Sequence, residues 1–336
     1  MSDESTLDDG QLAEVRRAAF ELRRTDPQEA VRVLRKVAAR GGAAAVLAHG
    51  ALGEIYLEEF GDLDGAEAEF RAVLKAAPGL PAAELGLARV LRESGRLAEA
   101  DQCFLRALQG FSQDLLLLKA RQESGEELPE GAEEAALALL EVSVELGDLR
   151  HELGRNGSVK IPIDESLPVW AQKIRLFDSE EDGERDDWIR FHALWSRLRV
   201  LTGRAAEAAA VLADAERAGE LPAEEGARLR SEALEEAGDE QGALAEARRL
   251  HLLDTEAGRV FEPDDISHLA GLLQAQGDEP GAKAVLQAAL SQAESLLAEP
   301  EGPGGPDDEA RAALKEAATS YREALGPVAL VGLGRK

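Results

Sequence analysis

The stretch LGEIYLEEFGDLDGAEAEFRAVLKAAP, residues 52–78, decides the fold. Leu52, Gly53 and Tyr56 form an apolar stripe at helical spacing, Gly61-Asp62 interrupts it, and Ala66, Phe70 and Val73 resume it with offsets of four and three. Such offsets put side chains on one face of a helix. A glycine at the break ends one helix in a left-handed turn, and the aspartate behind it caps the next. The segment therefore reads as two helices joined by a tight turn, with Ala66 small enough to let them approach closely where they cross.

The same punctuation recurs outward from this stretch. Gly95-Arg96, Gly203-Arg204, Gly238-Asp239 and Gly277-Asp278 repeat the glycine followed by a polar residue. Within each block the spacing is roughly 34 residues, the mark of a helical repeat array. Five positions after each glycine stands alanine, as Ala66, Ala100, Ala208, Ala243 and Ala282. Nine positions after come Phe70, Phe104, Leu212, Ala247 and Leu286. Upstream, Leu87, Ala88 and Leu91, and again Leu269, Ala270 and Leu273, repeat the stripe of the first helix. Ala30, Leu34 and Val37 after Asp26-Pro27 form a degenerate opening repeat in which Thr25 replaces the glycine.

Leu52, Gly53, Tyr56, Gly61, Ala66, Phe70 and Pro78 resemble the pattern of the tetratricopeptide repeat family, with one extra residue before Gly61. The resemblance covers most of the chain apart from its middle and its tail. It implies an all-α fold, an α-solenoid of helix-turn-helix repeats, whose first helices line a concave channel that holds a partner peptide or helix. On this face the resemblance selects Glu54, Arg89, Arg92, Arg190, Arg197, Arg228, Glu232 and Glu235.

Composition agrees with an all-helical chain. Strand-favouring residues are sparse and aromatics make up only 4% of the sequence, so local propensity leaves little for a sheet. The net charge of −28 repels nucleic-acid phosphates and anionic lipid headgroups, and would attract a basic partner. Its plainest role is solubility. No apolar run approaches the roughly 18 residues of a membrane helix, and the acidic start Met1-Ser2-Asp3-Glu4-Ser5 is unlike a signal peptide. The expected location is cytoplasmic.

The array is expected in two blocks, residues 1–125 and 188–298, with a central spacer over 126–187. A helix from about Glu133 to Leu153 opens the spacer, with Glu152 where the small alanine of a repeat should be. An irregular segment follows, with alternating apolar residues over Ser158 to Ile163 and an acidic run from Asp178 to Asp187. Residues 299–307 are a Pro/Gly linker, residues 308–325 a capping helix, and residues 326–336 an apolar tail. Trp170 and Trp188 beside the spacer are either anchors for a partner or covers for the ends of the blocks. The tail from Gly326 to Lys336 loosely resembles the C-terminal loading peptides that direct cargo into bacterial protein nanocompartments.

No constellation for catalysis, cofactor or metal stands out. Cys103 is the single cysteine, and His49, His151, His192, His251 and His268 have no ligand spacing among them. The glycine motifs of nucleotide binding and the nucleophile elbow are missing from the sequence. The leading function is a protein-interaction scaffold, not an enzyme. Alternatives are a cargo or assembly factor that docks through its tail, an acidic nucleic-acid mimic, and an enzyme built on Lys160, Asp164 and Lys173. Arginines on an otherwise acidic chain give two readings of the channel. Either they bind a carboxylate-bearing segment bidentately, or they pair with glutamates of neighbouring repeats.

Overall fold

The computed structural model describes residues 9–129, 132–154, 167–168, 171, 182–298 and 308–325. They form two compact units divided after Phe177, and among them there is no strand. Trp170, Phe177, Lys160, Asp164, Lys173, the linker 299–307 and the tail 326–336 lie outside the described residues.

Unit 1 contains α1 (Asp9–Arg16), continued by a π-helical segment Arg17–Leu22 and one further turn Arg23–Thr25. Then come α2 (Pro27–Ala38), α3 (Ala43–Glu58), α4 (Leu63–Ala76), α5 (Pro81–Glu93), α6 (Leu97–Glu123) and α7 (Ala132–Glu152). Unit 2 contains α8 (Asp182–Leu201), α9 (Ala205–Ala218), α10 (Ala223–Glu236), α11 (Glu240–Ala257), α12 (Pro263–Ala275), α13 (Glu279–Ala298) and α14 (Asp308–Leu325). From α2 to α7, and from α8 to α14, each helix packs on the one before it and the one after it, and α3 touches α5 as α8 touches α10. Each unit is therefore a stack of antiparallel hairpins, the arrangement of an α-solenoid.

The turn glycines explain how each hairpin closes. Gly61, Gly95, Gly203, Gly238 and Gly277 all have positive φ, which L side chains avoid. After four of them the next N–H reaches back five residues, as Arg96 to Leu91, Arg204 to Arg199, Asp239 to Leu234 and Asp278 to Leu273. This is the 6→1 bond of a Schellman stop. At Gly61 the extra residue lengthens the loop, so Asp62 N–H reaches back six residues, to Tyr56. The residue after the glycine then starts the next helix in one of two ways. Asp62, Asp239 and Asp278 accept from the amides of Gly65, Gly242 and Gly281. Arg96 and Arg204 make no such cap and instead grip Glu99 and Glu207 three residues on.

The core follows the repeat. Ala66, Ala100, Ala208, Ala243 and Ala282 are all fully buried at the helix crossings, as are Ala30, Leu34 and Val37 of the opening repeat. Helix α7 lays Ala136, Leu140, Leu146 and Leu149 into the core of unit 1. Helix α14 closes the far end of unit 2, where Leu314, Ala318 and Tyr321 join Leu269, Leu286 and Leu290 in one apolar cluster. Burial pushes the Tyr321 phenol up to about 12, with its hydroxyl 3.3 Å from the carbonyl of Phe261.

Phe70 shows how tightly the hairpins interlock. Its ring lies between Gly53 on α3 and Gly86 on α5, where an added Cβ would come within 2.8 Å and 2.4 Å of ring carbons. Gly86→Ala should therefore overpack the site and cost about 1–3 kcal/mol. Gly50, inside α3 with nothing within 4 Å of its would-be Cβ, should respond oppositely. Gly50→Ala should stabilise by about 0.5–1 kcal/mol through helix propensity. Thermal and urea unfolding of the two variants checks both signs.

Candidate functional site

Clefts open on the first helices of the hairpins in both units, and their chemistry is set by which charged groups are already engaged. In unit 1 a cleft of about 370 Å³ lies among α3, α5 and α7, with Phe70 of α4 and Phe111 and Asp114 of α6 also lining it. Leu57, Phe70, Leu85, Phe111 and Ala138 give it an apolar floor, and Glu54, Glu58, Asp114 and Glu134 stand around it. Its one guanidinium is Arg89, which donates to Glu145 through Nε at 2.9 Å and Nη2 at 2.5 Å. Burial works to lower the pKa of Arg89, but its hydrogen bonds and charge pairing with Glu145 outweigh that and hold it above its ordinary value. One turn further along α5, Arg92 pairs with Glu152, the glutamate that stands in the alanine slot of α7.

In unit 2 two clefts adjoin. The larger, about 560 Å³, lies between α10 and α12; the smaller, about 270 Å³, lies between α8 and α10, and both are lined by Glu232 and His268. Around the larger one stand Glu225, Glu232, Glu262, Asp264 and Asp265 with the single guanidinium of Arg228. Arg228 is held by Asp265 at 2.8 and 2.7 Å and by Glu225 at 2.6 Å. The hydrogen bonds it donates to Asp265 first, and to Glu225, raise its pKa well above the usual value.

These contacts agree with the second of the two readings of the channel arginines, in which they pair with carboxylates of neighbouring helices. Arginines on the first helices are engaged by carboxylates that neighbouring helices bring to the same face, so the clefts are acidic like the rest of the chain. The eight residues selected from the sequence divide accordingly. Arg89, Arg92 and Arg228 are ion-paired across helices, and Arg197 lies 3.8 Å from Glu236. Glu54 lines the unit 1 cleft 3.6 Å from Arg23, and Arg190 is exposed on α8. Trp188 is buried, stacked on His192 at 5.4 Å and edge-on to Phe191 at 5.6 Å. Its position explains stability at the start of unit 2 and not an accessible anchor. Trp170 lies outside the described residues. Asp114, Glu134, Asp264 and Asp265 escaped the sequence reading because nothing local distinguishes them from the many carboxylates of a solvated helix.

Desolvation marks two cleft carboxylates. Burial by surrounding groups raises the pKa of Glu54, against a lowering by Arg23, and burial likewise raises that of Glu232, against lowering by His268 and Arg228. Both side chains nonetheless face solvent, Glu54 with 58% of its surface exposed, so the crowding is that of a cleft rim and not of a core.

One trio has the residue types of an acyl-transfer triad. Ser231 Oγ lies 2.9 Å from His268 Nε2, and His268 Nδ1 lies 3.5 Å from Glu235. The Ser231 hydroxyl, however, donates to the Ala243 carbonyl at 2.9 Å and is only 1% exposed. It ties α10 to α11 and α12, and although the residue lines the larger cleft its hydroxyl proton is committed to that carbonyl. Among the described residues no group of three or more His, Cys, Asp and Glu could hold a metal ion, and burial, ahead of all other causes, pushes the Cys103 thiol up, away from reactivity.

A further charge network joins α10 to α9 and α11. Arg230, 5% exposed, lies 2.7 Å from Glu216 and 3.1 Å from Glu246, and Arg249 also pairs with Glu216. Gly226 leaves room for it, since a Cβ there would meet Glu216 Oε2 at 2.8 Å.

Two family models, both described as tetratricopeptide repeat, match residues 21–81 and 57–122. No curated protein sequence matches the chain. Among solved structures, the assembly chaperone of RpL4 (Acl4, residues 1–338) is 18% identical with a TM-score of 0.46, over 95% of this chain and 98% of that one. A tetratricopeptide repeat protein from Parabacteroides merdae is 13% identical with a TM-score of 0.45, over 94% and 99%. The P58(IPK) TPR domain is 12% identical with a TM-score of 0.27, over 94% and 99%. No helix of the described residues is long and apolar enough to cross a membrane.

The arginine network carries a pH prediction. Hydrogen bonding from Arg249, against desolvation and together with Arg230, lowers the pKa of Glu216. A carboxylate depressed in the folded state contributes stability above its unfolded pKa and loses it as pH falls through the folded one. Glu216→Gln should destabilise the protein at neutral pH by roughly 3 kcal/mol, because Arg230 loses a partner in the core. The deficit should shrink as the pH falls below the ordinary carboxyl range, where the native Glu216 is itself protonated. Urea titrations at neutral and acid pH measure both.

Proposed function

We propose that this tetratricopeptide-repeat protein is an adaptor that holds another protein against the clefts of its first helices. The observation that carries the reading is the unit 1 cleft, where apolar side chains of α3, α5 and α6 converge beneath a rim of carboxylates of which Glu54 and Glu58 face Arg23 and Asp114 and Glu134 face solvent. Leu57, Leu85 and Phe111 come from different helices, so they share a surface only because the hairpins stack. An apolar patch with a polar rim is the anatomy of a protein-binding site. Repeat arrays characteristically offer such surfaces to an extended segment or a helix, because each repeat adds one more contact position along the same line.

The partner should be caught by a photo-crosslinking residue placed at Leu57 or Asp264, which line the clefts. Crosslinking from Leu105 or Glu256, exposed on the second helices α6 and α11, should be absent. Mass spectrometry of crosslinks formed in native lysate tests this. A partner joined only from the second-helix positions would move binding to the opposite face and end the reading.

A further inference from the structure

We propose that the unit 1 cleft receives a basic, partly apolar segment of the partner, with an aliphatic or aromatic side chain on its floor and lysine or arginine against its rim. This rests on the adaptor reading and names the chemistry of the occupant. It reverses the expectation of an acidic ligand that arginines on the first helices raise.

Charge engagement is the first argument. Arg89 already gives its Nε and Nη2 to Glu145, with Glu141 3.8 Å away. Arg23, next to Glu54 at 3.6 Å, is gripped by Glu58 and Glu59. A carboxylate entering the cleft would have to break these pairs and lie beside further carboxylates. A cation breaks nothing. Asp114 and Glu134 are exposed, and among the described residues no hydrogen bond or ion pair engages them, so their charge is available to a ligand.

The floor is the second. Phe70 and Phe111 are buried at the base of the cleft, with Leu57 partly open above them. Low-dielectric walls concentrate the field of the rim carboxylates and strengthen any pair formed there. Lysine and arginine suit such a place, since their methylene stems cover apolar surface while the charged end reaches the rim. Glu54, exposed on the rim and approached by Arg23 only at 3.6 Å, gains a closer counter-charge when one binds. The chain's net charge of −28 steers a basic segment towards the surface from a distance. Unit 2 repeats the chemistry independently. Glu232, shared by its two clefts, is also exposed, and among the described residues no hydrogen bond or ion pair engages it.

The test measures fluorescence anisotropy of labelled peptides of equal length on the full chain at about 0.15 M salt. One peptide alternates lysine with leucine, a second replaces leucine by serine, and a third replaces lysine by glutamate. The lysine–leucine peptide should bind tightest and the glutamate peptide weakest. The triple variant Glu54→Gln, Asp114→Asn, Glu134→Gln should lose roughly tenfold in affinity, the scale of three partly exposed charge pairs. An equal charge change away from the cleft, Asp64→Asn, Glu93→Gln, Glu127→Gln, should lose little. Asp114→Asn alone, at an exposed and partnerless site, keeps the test valid should the triple variant unfold.

Equal losses in both triple variants would reduce the effect to diffuse charge and overturn the proposal. So would equal binding of the serine peptide, which leaves the floor without a role, or preference for the glutamate peptide. An acidic partner segment crosslinked from Leu57 would sink this inference while leaving the adaptor reading intact. Crosslinks confined to the second helices would remove the adaptor reading instead.

Discussion

The close approach of two helices at an alanine is the constraint on which everything else in this protein depends. At Ala66, Ala100, Ala208, Ala243 and Ala282 no surface remains exposed, so the backbones there are as near as side-chain packing allows. A larger residue at any of them would separate the hairpin and misalign the stripes that pack on the next one. The turn glycines serve this contact, because a left-handed stop followed by an immediate cap sends the second helix back along the first. Phe70 extends the logic between hairpins, using the missing side chains of Gly53 and Gly86 as sockets.

Stacking at that distance places successive first helices side by side, and their long polar side chains must then find one another. The resulting ties run Arg89 to Glu145, Arg92 to Glu152 and Arg228 to Asp265. Such exposed or half-buried pairs contribute little stability individually. Their larger effect is on the charge of the face, since each neutralises a guanidinium that would otherwise stand open to solvent. What remains uncommitted on these faces is carboxylate, at Asp114 and Glu134 in unit 1 and Glu232 in unit 2. An acidic chain with acidic clefts thus presents one sign of charge, accompanied in unit 1 by an apolar floor.

The departures from the repeat are informative for the same reason. Glu152 is a defect when the sequence is scored for alanine at its position, yet it anchors Arg92 in the folded unit. Arg96 and Arg204 fail as caps where aspartate succeeds, but pair with Glu99 and Glu207 and support the same helix start through side chains. Trp188 has the residue type of an interface anchor and is instead enclosed by His192 and Phe191. Residue type alone separates neither case, because burial decides whether an aromatic ring is part of the core or of a surface.

The sequence by itself determined the helices, the turns that join them and the residues at their crossings. Those features depend on neighbours within a few positions, so periodicity, glycine placement and capping residues report them directly. Leu52, Ala66 and Phe70, and the helices over Ala132–Glu152 and Asp308–Leu325, were legible on that ground. Only the tertiary structure decided the sign of the clefts. The partners that silence Arg89, Arg92 and Arg228 lie 56, 60 and 37 residues away, brought near by stacking and by no local pattern. In a chain with 66 acidic residues, which carboxylate meets which guanidinium is a property of the folded array, and so is the ligand chemistry that the unpaired ones favour.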